Sequence, residues 1–146
     1  MSTDGDEERV VSSVMSAMSP VRWTTLTVDC SDAEALGAFY ERLLGWEISD
    51  RDGSGWLKLR NPSGGVSLNI QADDSYEPPT WPEQSGRQAK MMHLELLVDD
   101  LDAAVRLVLR IGGSEDAHQP PDRDQTRLRV MLDPAGHPFC LFVDGE

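Results

Sequence analysis

A long-period repeat constrains this chain more than any other feature. At an offset of 70, Leu26, Val28, Asp29, Asp32 and Ala33 meet Leu96, Val98, Asp99, Asp102 and Ala103, five identities in the eleven positions from Trp23 to Ala33. Farther along, Pro62 and Gly64 meet Pro134 and Gly136 at an offset of 72. Such self-similarity implies two copies of one supersecondary unit, neither able to bury its sheet face alone. Units of roughly 60 residues sit near the lower limit for a self-sufficient core, so the two are expected to share one.

The hydrophobic pattern says what each unit contains. Trp23 to Val28 alternates as a half-buried strand, with Thr24, Leu26 and Val28 on one face and Trp23, Thr25 and Thr27 on the other. Ser31-Asp32-Ala33-Glu34 has the Ser-x-x-Glu form of a capping box. Leu36, Phe39, Tyr40, Leu43 and Leu44 then recur at helical spacing, and Gly45 supplies a C-terminal stop. Strands are expected at 46–50, 56–61 and 66–72, separated by Asp52-Gly53-Ser54-Gly55 and Asn61-Pro62-Ser63-Gly64-Gly65. The order is β-α-β-β-β.

The second unit repeats it. A strand runs over Met92–Val98, with Leu94, Leu96 and Val98 opposite His93, Glu95 and Leu97. Asp99 or Asp100 caps a helix bearing Leu101, Ala104, Val105 and Val108, stopped at Gly112-Gly113. Strands follow at 114–117, 128–132 and 138–143, the last two joined by the turn Asp133-Pro134-Ala135-Gly136. A charged, proline-containing loop spans 119–126. The expected organisation is an acidic leader at 1–20, then one domain at 21–146. That domain comprises a first unit at 21–72, a connecting loop at 73–90 and a second unit at 91–146. The leader is flexible or a short helix carrying Val10, Val11, Val14 and Met18. Three prolines in Tyr76-Glu77-Pro78-Pro79-Thr80-Trp81-Pro82 rule helix interior and central strand out of the connecting loop.

Composition narrows the partners. Thirteen Lys and Arg against 26 Asp and Glu leave a net charge of −13, a field that repels phosphate backbones and anionic lipid. Nucleic acid and membrane are therefore not expected partners. Two cysteines, Cys30 and Cys140, make no disulfide framework and no CxxC motif. Acidic residues near the start exclude a secretory n-region, and no apolar run reaches the ~18 residues of a membrane span. The expected location is the cytoplasm.

Three phrases carry a family resemblance. They are Ala38-Phe39-Tyr40-Glu41-Arg42-Leu43-Leu44-Gly45-Trp46, the run His93-Leu94-Glu95-Leu96-Leu97-Val98-Asp99-Asp100-Leu101-Asp102-Ala103, and Asp133-Pro134-Ala135-Gly136-His137-Pro138-Phe139-Cys140. In this order, and with the Pro-Pro-Thr-Trp-Pro loop before His93, the chain from Val21 to Val143 resembles the glyoxalase/bleomycin-resistance/dioxygenase (vicinal oxygen chelate) superfamily, in its glyoxalase-like branch. The resemblance implies an α+β fold: two βαβββ modules forming a glyoxalase-like open barrel around a shared cleft. It also implies a homodimer, with units paired within or between chains. Enzymes of the superfamily hold a divalent metal (Zn, Ni, Mn or Fe) on His, Glu or Gln ligands, and use it as a Lewis acid.

Carried onto this chain, the ligand positions are His93, its repeat partner Trp23, Cys140 near the end, and Gln71 or Asn69 in the fourth strand. Alternation turns Ser67, Asn69 and Gln71 to the cleft, whereas the turn alignment puts Leu68 there. The candidate metal set is His93, Gln71 and Cys140: one good donor, one weak amide and one thiol that an acidic cleft tends to keep protonated. That tally argues against a resident metal. Glu95 is the candidate general base, or else a solvated strand carboxylate. Trp23 suggests an aromatic wall for a flat ligand, with Trp81 and Tyr76 as further walls unless Trp81 merely packs its loop. The candidate ligand-binding residues are Trp23, Thr25, Asn69, Gln71, Tyr76, Trp81, His93, Glu95, Cys140 and Phe142. His118 and His137 are expected to be exposed.

Two function classes follow. One is a protein binding a small aromatic or polar organic molecule in a cleft with a degenerate metal site. The other is a divergent metal-dependent lyase, isomerase or dioxygenase.

Overall fold

In a computed structural model, which describes residues 19–144, the chain forms two units of the same order. The first is β1 (Thr25–Cys30), α1 (Ala33–Leu44), β2 (Glu47–Arg51), β3 (Trp56–Arg60) and β4 (Ser67–Ala72). The second is β5 (Leu94–Leu97), α2 (Leu101–Arg110), β6 (Ser114–Glu115), β7 (Leu128–Leu132) and β8 (Pro138–Phe142). Each makes a four-stranded sheet, ordered β1-β4-β3-β2 and β5-β8-β7-β6. The outer pairs β1·β4 and β5·β8 are parallel, and the others antiparallel. The fold is α+β with two βαβββ modules. The expected leader helix lies outside the described residues.

Local chemistry explains the boundaries. Asp32, not Ser31, caps α1: its carboxylate accepts from the Ala35 amide at 3.1 Å, and its extended backbone (φ −130°) turns the chain into the helix. Asp100 caps α2 with the same geometry, accepting from Ala103. Gly45 closes α1 in the left-handed region at φ +69°, where its N–H reaches the Glu41 carbonyl.

The strand starts differ from expectation. β1 begins at Thr25, because β4 offers its first partner there: Ser67 pairs Thr25, and the Ser67 amide donates to the Thr24 carbonyl at 3.0 Å. Trp23 has nothing opposite it and turns its indole N–H onto the Thr25 carbonyl. β5 begins at Leu94, not Met92. The residue that opens β8 is Pro138, which has no N–H to give the ladder, so Met92 and His93 stay outside the sheet.

The two units share one core on their helix faces. Phe39, Tyr40, Leu57, Leu59, Leu68 and Ile70 of the first unit cluster with Val105, Val108, Met131, Phe139 and Leu141 of the second. Phe39 and Tyr40 meet edge-on at 5.0 Å, and both meet Phe139, at 6.1 and 6.5 Å, distances typical of favourable aromatic pairs. At the edge of this triad the Tyr40 hydroxyl donates to Asp133 Oδ2 at 2.6 Å. The buried Asp133 carboxylate also accepts from the amides of Ala135 and His137, and His137 Nδ1 lies 2.8 Å from it. His137 is therefore half-buried rather than exposed, whereas His118 is exposed.

The connecting loop is tied to the same turn. Tyr76 donates its hydroxyl proton to the Ala135 carbonyl at 2.7 Å. Gly136, at φ +89°, passes so close to Pro78 that a Cβ there would lie 3.0 Å from the proline ring.

Tyr40→Phe keeps the ring packing and removes the bond to buried Asp133. It is expected to lower unfolding stability by about 1–3 kcal/mol with an unchanged urea m-value. A change under 0.5 kcal/mol would mean that the Asp133 contact does not join the units.

Candidate functional site

Each sheet turns one face to its helix and the other away from it. In the second unit, Leu94 and Leu96 belong to the core, which turns Glu95 and Leu97 to the opposite face. Glu95 pairs Cys140, which pairs Val130; Leu97 pairs Phe142, which pairs Leu128. The open face thus carries two rows, Glu95-Cys140-Val130 and Leu97-Phe142-Leu128. In the first unit the matching rows are Thr27-Asn69-Lys58 and Asp29-Gln71-Trp56.

The 119–127 loop leans over the second unit's rows and is held firmly. The Gln119 side chain donates to the Asp116 and Val130 carbonyls and accepts from the Val130 amide, each at 2.8 or 2.9 Å. Asp124 accepts from the amide and hydroxyl of Thr126, while its carbonyl accepts from the amides of Arg127 and Leu128. Between loop and sheet lies a cavity of about 360 Å³ lined by Glu95, Arg123, Asp124, Arg127, Leu128, Phe142 and Val143. All of these residues come from the second unit. Sequence reasoning had picked Glu95 and Phe142 but not Arg123 or Arg127. Their only signal was one cation in a loop marked as charged, at 119–126, and a second just after it.

The structure also settles the register between the units. Leu68 and Phe139 are each the second residue of their strand and both face the core. Leu68 pairs Leu26, and Phe139 pairs Leu94. Leu26 therefore corresponds to Leu94 and Thr25 to His93, in step with the two caps Asp32 and Asp100. The identity-rich offset of 70 is two residues too long, and Trp23 is not the counterpart of His93. Trp23 stands before β1 with 71% of its surface exposed. In the same way Asn69, not Leu68, corresponds to Cys140, and Gln71 to Phe142. The Asn61–Val66 turn is one residue longer than its counterpart, which shifts the turn-based alignment by one position and so to the wrong face.

The other expected residues divide. Tyr76 is committed to Ala135, with His137 Nε2 3.3 Å from its hydroxyl, so it braces the connecting loop instead of walling a pocket. Trp81 donates to the His118 carbonyl at 3.2 Å and carries Lys90 Nζ 4.4 Å above its ring, a cation–π contact that packs the loop. Thr25 and Gln71 are half-buried on the first sheet, and the Gln71 amide donates to the Ala72 carbonyl. Asn69 Oδ1 is buried without a hydrogen-bond partner. His93 is exposed and sits 3.4 Å from Glu95.

These donors do not fit a metal. Among the described residues no group of three or more His, Cys, Asp and Glu side chains is placed to hold one ion. His93 has Glu95 beside it, but Gln71 belongs to the other sheet. Burial, then the Glu95 charge, raises the Cys140 thiol above its ordinary value, which disfavours the thiolate a metal needs.

With the geometry in place, comparison with known proteins is informative. A glyoxalase-like domain family model matches residues 25–142. A glyoxalase/bleomycin resistance/dioxygenase family enzyme from Burkholderia phytofirmans PsJN superposes with a TM-score of 0.60 at 20% identity, over 82% of this chain and 96% of that one. An antibiotic-binding protein from Streptomyces sp. CB03234 does so with a TM-score of 0.58 at 20% identity, over 88% and 99%. The fosfomycin resistance protein FosX from Listeria monocytogenes, in complex with Mn(II) and a dihydroxypropylphosphonic acid, gives 0.61 at 18% identity, over 86% and 90%. At these identities the likeness is one of fold. No curated protein sequence matches the chain.

The second thiol supplies a pH test. Cys30 is fully buried, donates to the Gln71 carbonyl, and is raised from 9.0 to about 11 by burial and then by the charges of Asp32 and Asp133. Because the folded state holds this proton more tightly than the unfolded chain, its stabilisation is intact below pH 9 and is lost as pH climbs to about 11. Urea unfolding of the wild type is expected to weaken over that range, and less steeply in Cys30→Ala. Identical slopes would show that the thiol is not linked to folding. Burial raises Tyr40 and Tyr76 as well, which extends the alkaline loss further.

Proposed function

Since the chain belongs to the glyoxalase-like domain family, we propose that it binds a small aromatic or polar organic molecule on the open face of its second unit, without a resident metal. The observation that carries this reading is the cavity over Phe142 and Leu128, beside a donor set that does not assemble around an ion. Phe142 and Leu128 give an apolar floor, and Glu95 and the loop arginines give a polar rim, the usual constitution of a small-molecule site. The structural likeness to an antibiotic-binding protein agrees with a binding role. Residues 21–146 act as one duplicated domain, in the cytoplasm, with no nucleic acid or membrane partner. Among the described residues no helix is long and apolar enough to cross a membrane.

A homodimer belongs to the same reading. Val21, Trp23, Met91, Met92 and Leu97 are large apolar residues left 58–87% exposed, just before or on the two edge strands β1 and β5. A second copy would cover them.

The metal-dependent lyase, isomerase or dioxygenase remains the second reading. It is favoured by His93 beside Glu95, with Cys140 opposite Glu95 on β8, and by the manganese held by FosX. Glu95 is its candidate general base. Metal analysis of protein purified without chelator separates the two readings: less than 0.1 equivalent of Zn, Ni, Mn or Fe is expected, before and after reconstitution. Stoichiometric metal that disappears in His93→Ala would overturn the binder reading. In a thermal-shift screen of aromatic antibiotics and metabolites, a ligand at ~100 times its Kd is expected to add about 2.7 kcal/mol of stability.

A further inference from the structure

The cavity's lining is charge-balanced in a strongly acidic chain, with Arg123 and Arg127 against Glu95 and Asp124. The molecule carries −13 overall, yet two cationic residues, Arg123 and Arg127, line this cavity, and its two carboxylates have hydrogen-bond or contact partners of their own. Asp124 is occupied by the Thr126 amide and hydroxyl at 2.9 and 2.7 Å, which hold its carboxyl below the usual range. Glu95, across the cavity, has His93 at 3.4 Å. Arg129, the next cation along β7, is paired with Glu115. Arg127 donates to the Asp144 carbonyl, an anchor that holds its guanidinium at the rim.

Arg123 differs from all of these. Among the described residues it forms no ion pair, and its backbone is fixed by the bond from its amide to the Pro120 carbonyl. Its positive charge nevertheless reaches into the face, since Arg123 and Lys90 both pull the Cys140 thiol down against the effect of Glu95. Arg123 lines the same cavity as Phe142 and Leu128, and a guanidinium without an ion-pair partner beside an apolar floor matches an oxyanion borne on a flat apolar body. The planar fork takes two oxygens at once, and the ring covers Phe142 and Leu128.

We propose that the ligand of this cavity is a small organic oxyanion, an aromatic or apolar acid whose head group is bound by Arg123 with Arg127 beside it. This rests on the reading of the second-unit cavity as the ligand site, and it names the chemical class that the site selects. Net charge would have pointed to a cation. Locally the acidic excess is absent, since Arg123 and Arg127 balance Glu95 and Asp124, and charges elsewhere on the surface are screened beyond about 8–10 Å.

The test uses full-length protein and three fluorescent probes of one shape: 2-naphthoate, its neutral isostere 2-naphthamide, and 2-naphthyl phosphate. 2-Naphthoate is expected to bind roughly tenfold or more tighter than the amide, the range of a charge-assisted hydrogen bond. Arg123→Gln should remove most of that difference and leave amide binding within about twofold, while Arg123→Lys should restore part of it. Stronger binding by the phosphate than by the carboxylate would support the oxyanion site and assign it a phosphoryl head. Equal binding of acid and amide, unmoved by Arg123→Gln, would overturn the inference while leaving a small-molecule cavity in place. The inference alone would also fall if all three probes failed while a screened neutral or cationic ligand still stabilised the protein. Failure of every ligand in both experiments would overturn the cavity reading itself.

Discussion

The Tyr40–Asp133 hydrogen bond is where the two halves of the chain become one structure. Tyr40 lies on the helix of the first unit and Asp133 in the last turn of the second, 93 residues later. The pair sits beside an aromatic triad that takes two rings from one unit and one from the other. A buried carboxylate is tolerable only when its lone pairs are used. Here two amides, a phenol and an imidazole nitrogen use them. The connecting loop joins the same turn through Tyr76 and Pro78, so both sheets are positioned by one cluster on the helix side.

That arrangement leaves the opposite faces of the sheets to chemistry. Each unit had the same strand pairing available, but the residues on the open faces have diverged. The first unit presents Thr27, Asn69 and Lys58, and the second presents Glu95, Cys140, Phe142 and Leu128. Among the described residues, the second has a braced loop beside it that brings two arginines to the face. That face has an apolar floor of Phe142 and Leu128 and a charged rim of Glu95, Asp124, Arg123 and Arg127. The donors that a metal would need are dispersed between an exposed histidine, a protonated thiol and an amide on the other sheet.

Much of this was legible in the sequence. Helical spacing from Leu36 to Leu44, alternation in both first strands and the two Asp/Asn-Pro-x-Gly turns placed every element, and composition set aside nucleic acid. Register was not legible. The identities that align Leu26 with Leu96 outnumber those at the structural offset of 68, where only Leu26/Leu94 and Asp32/Asp100 match over the same eleven positions. The strand pairing has no such freedom: Leu26 lies opposite Leu68 as Leu94 lies opposite Phe139. A shift of two keeps every side chain on its face. Alternation therefore agreed with either offset, and the error made Trp23 the counterpart of His93.

The sequence by itself determined the duplicated βαβββ order, the helix starts to within a residue and the side of each strand that meets a helix. These follow from periodicity and short-range hydrogen bonding, and both are local. Tertiary structure decided which residues meet. Tyr76 and Trp81, free aromatics in a proline-rich loop as far as sequence can tell, are anchored to Ala135 and His118, 59 and 37 residues away. Arg123 lines one cavity with Glu95 and Phe142 because the loop before β7 folds back beside its own sheet. Contacts over such separations depend on the packing of whole units, which no window of sequence contains.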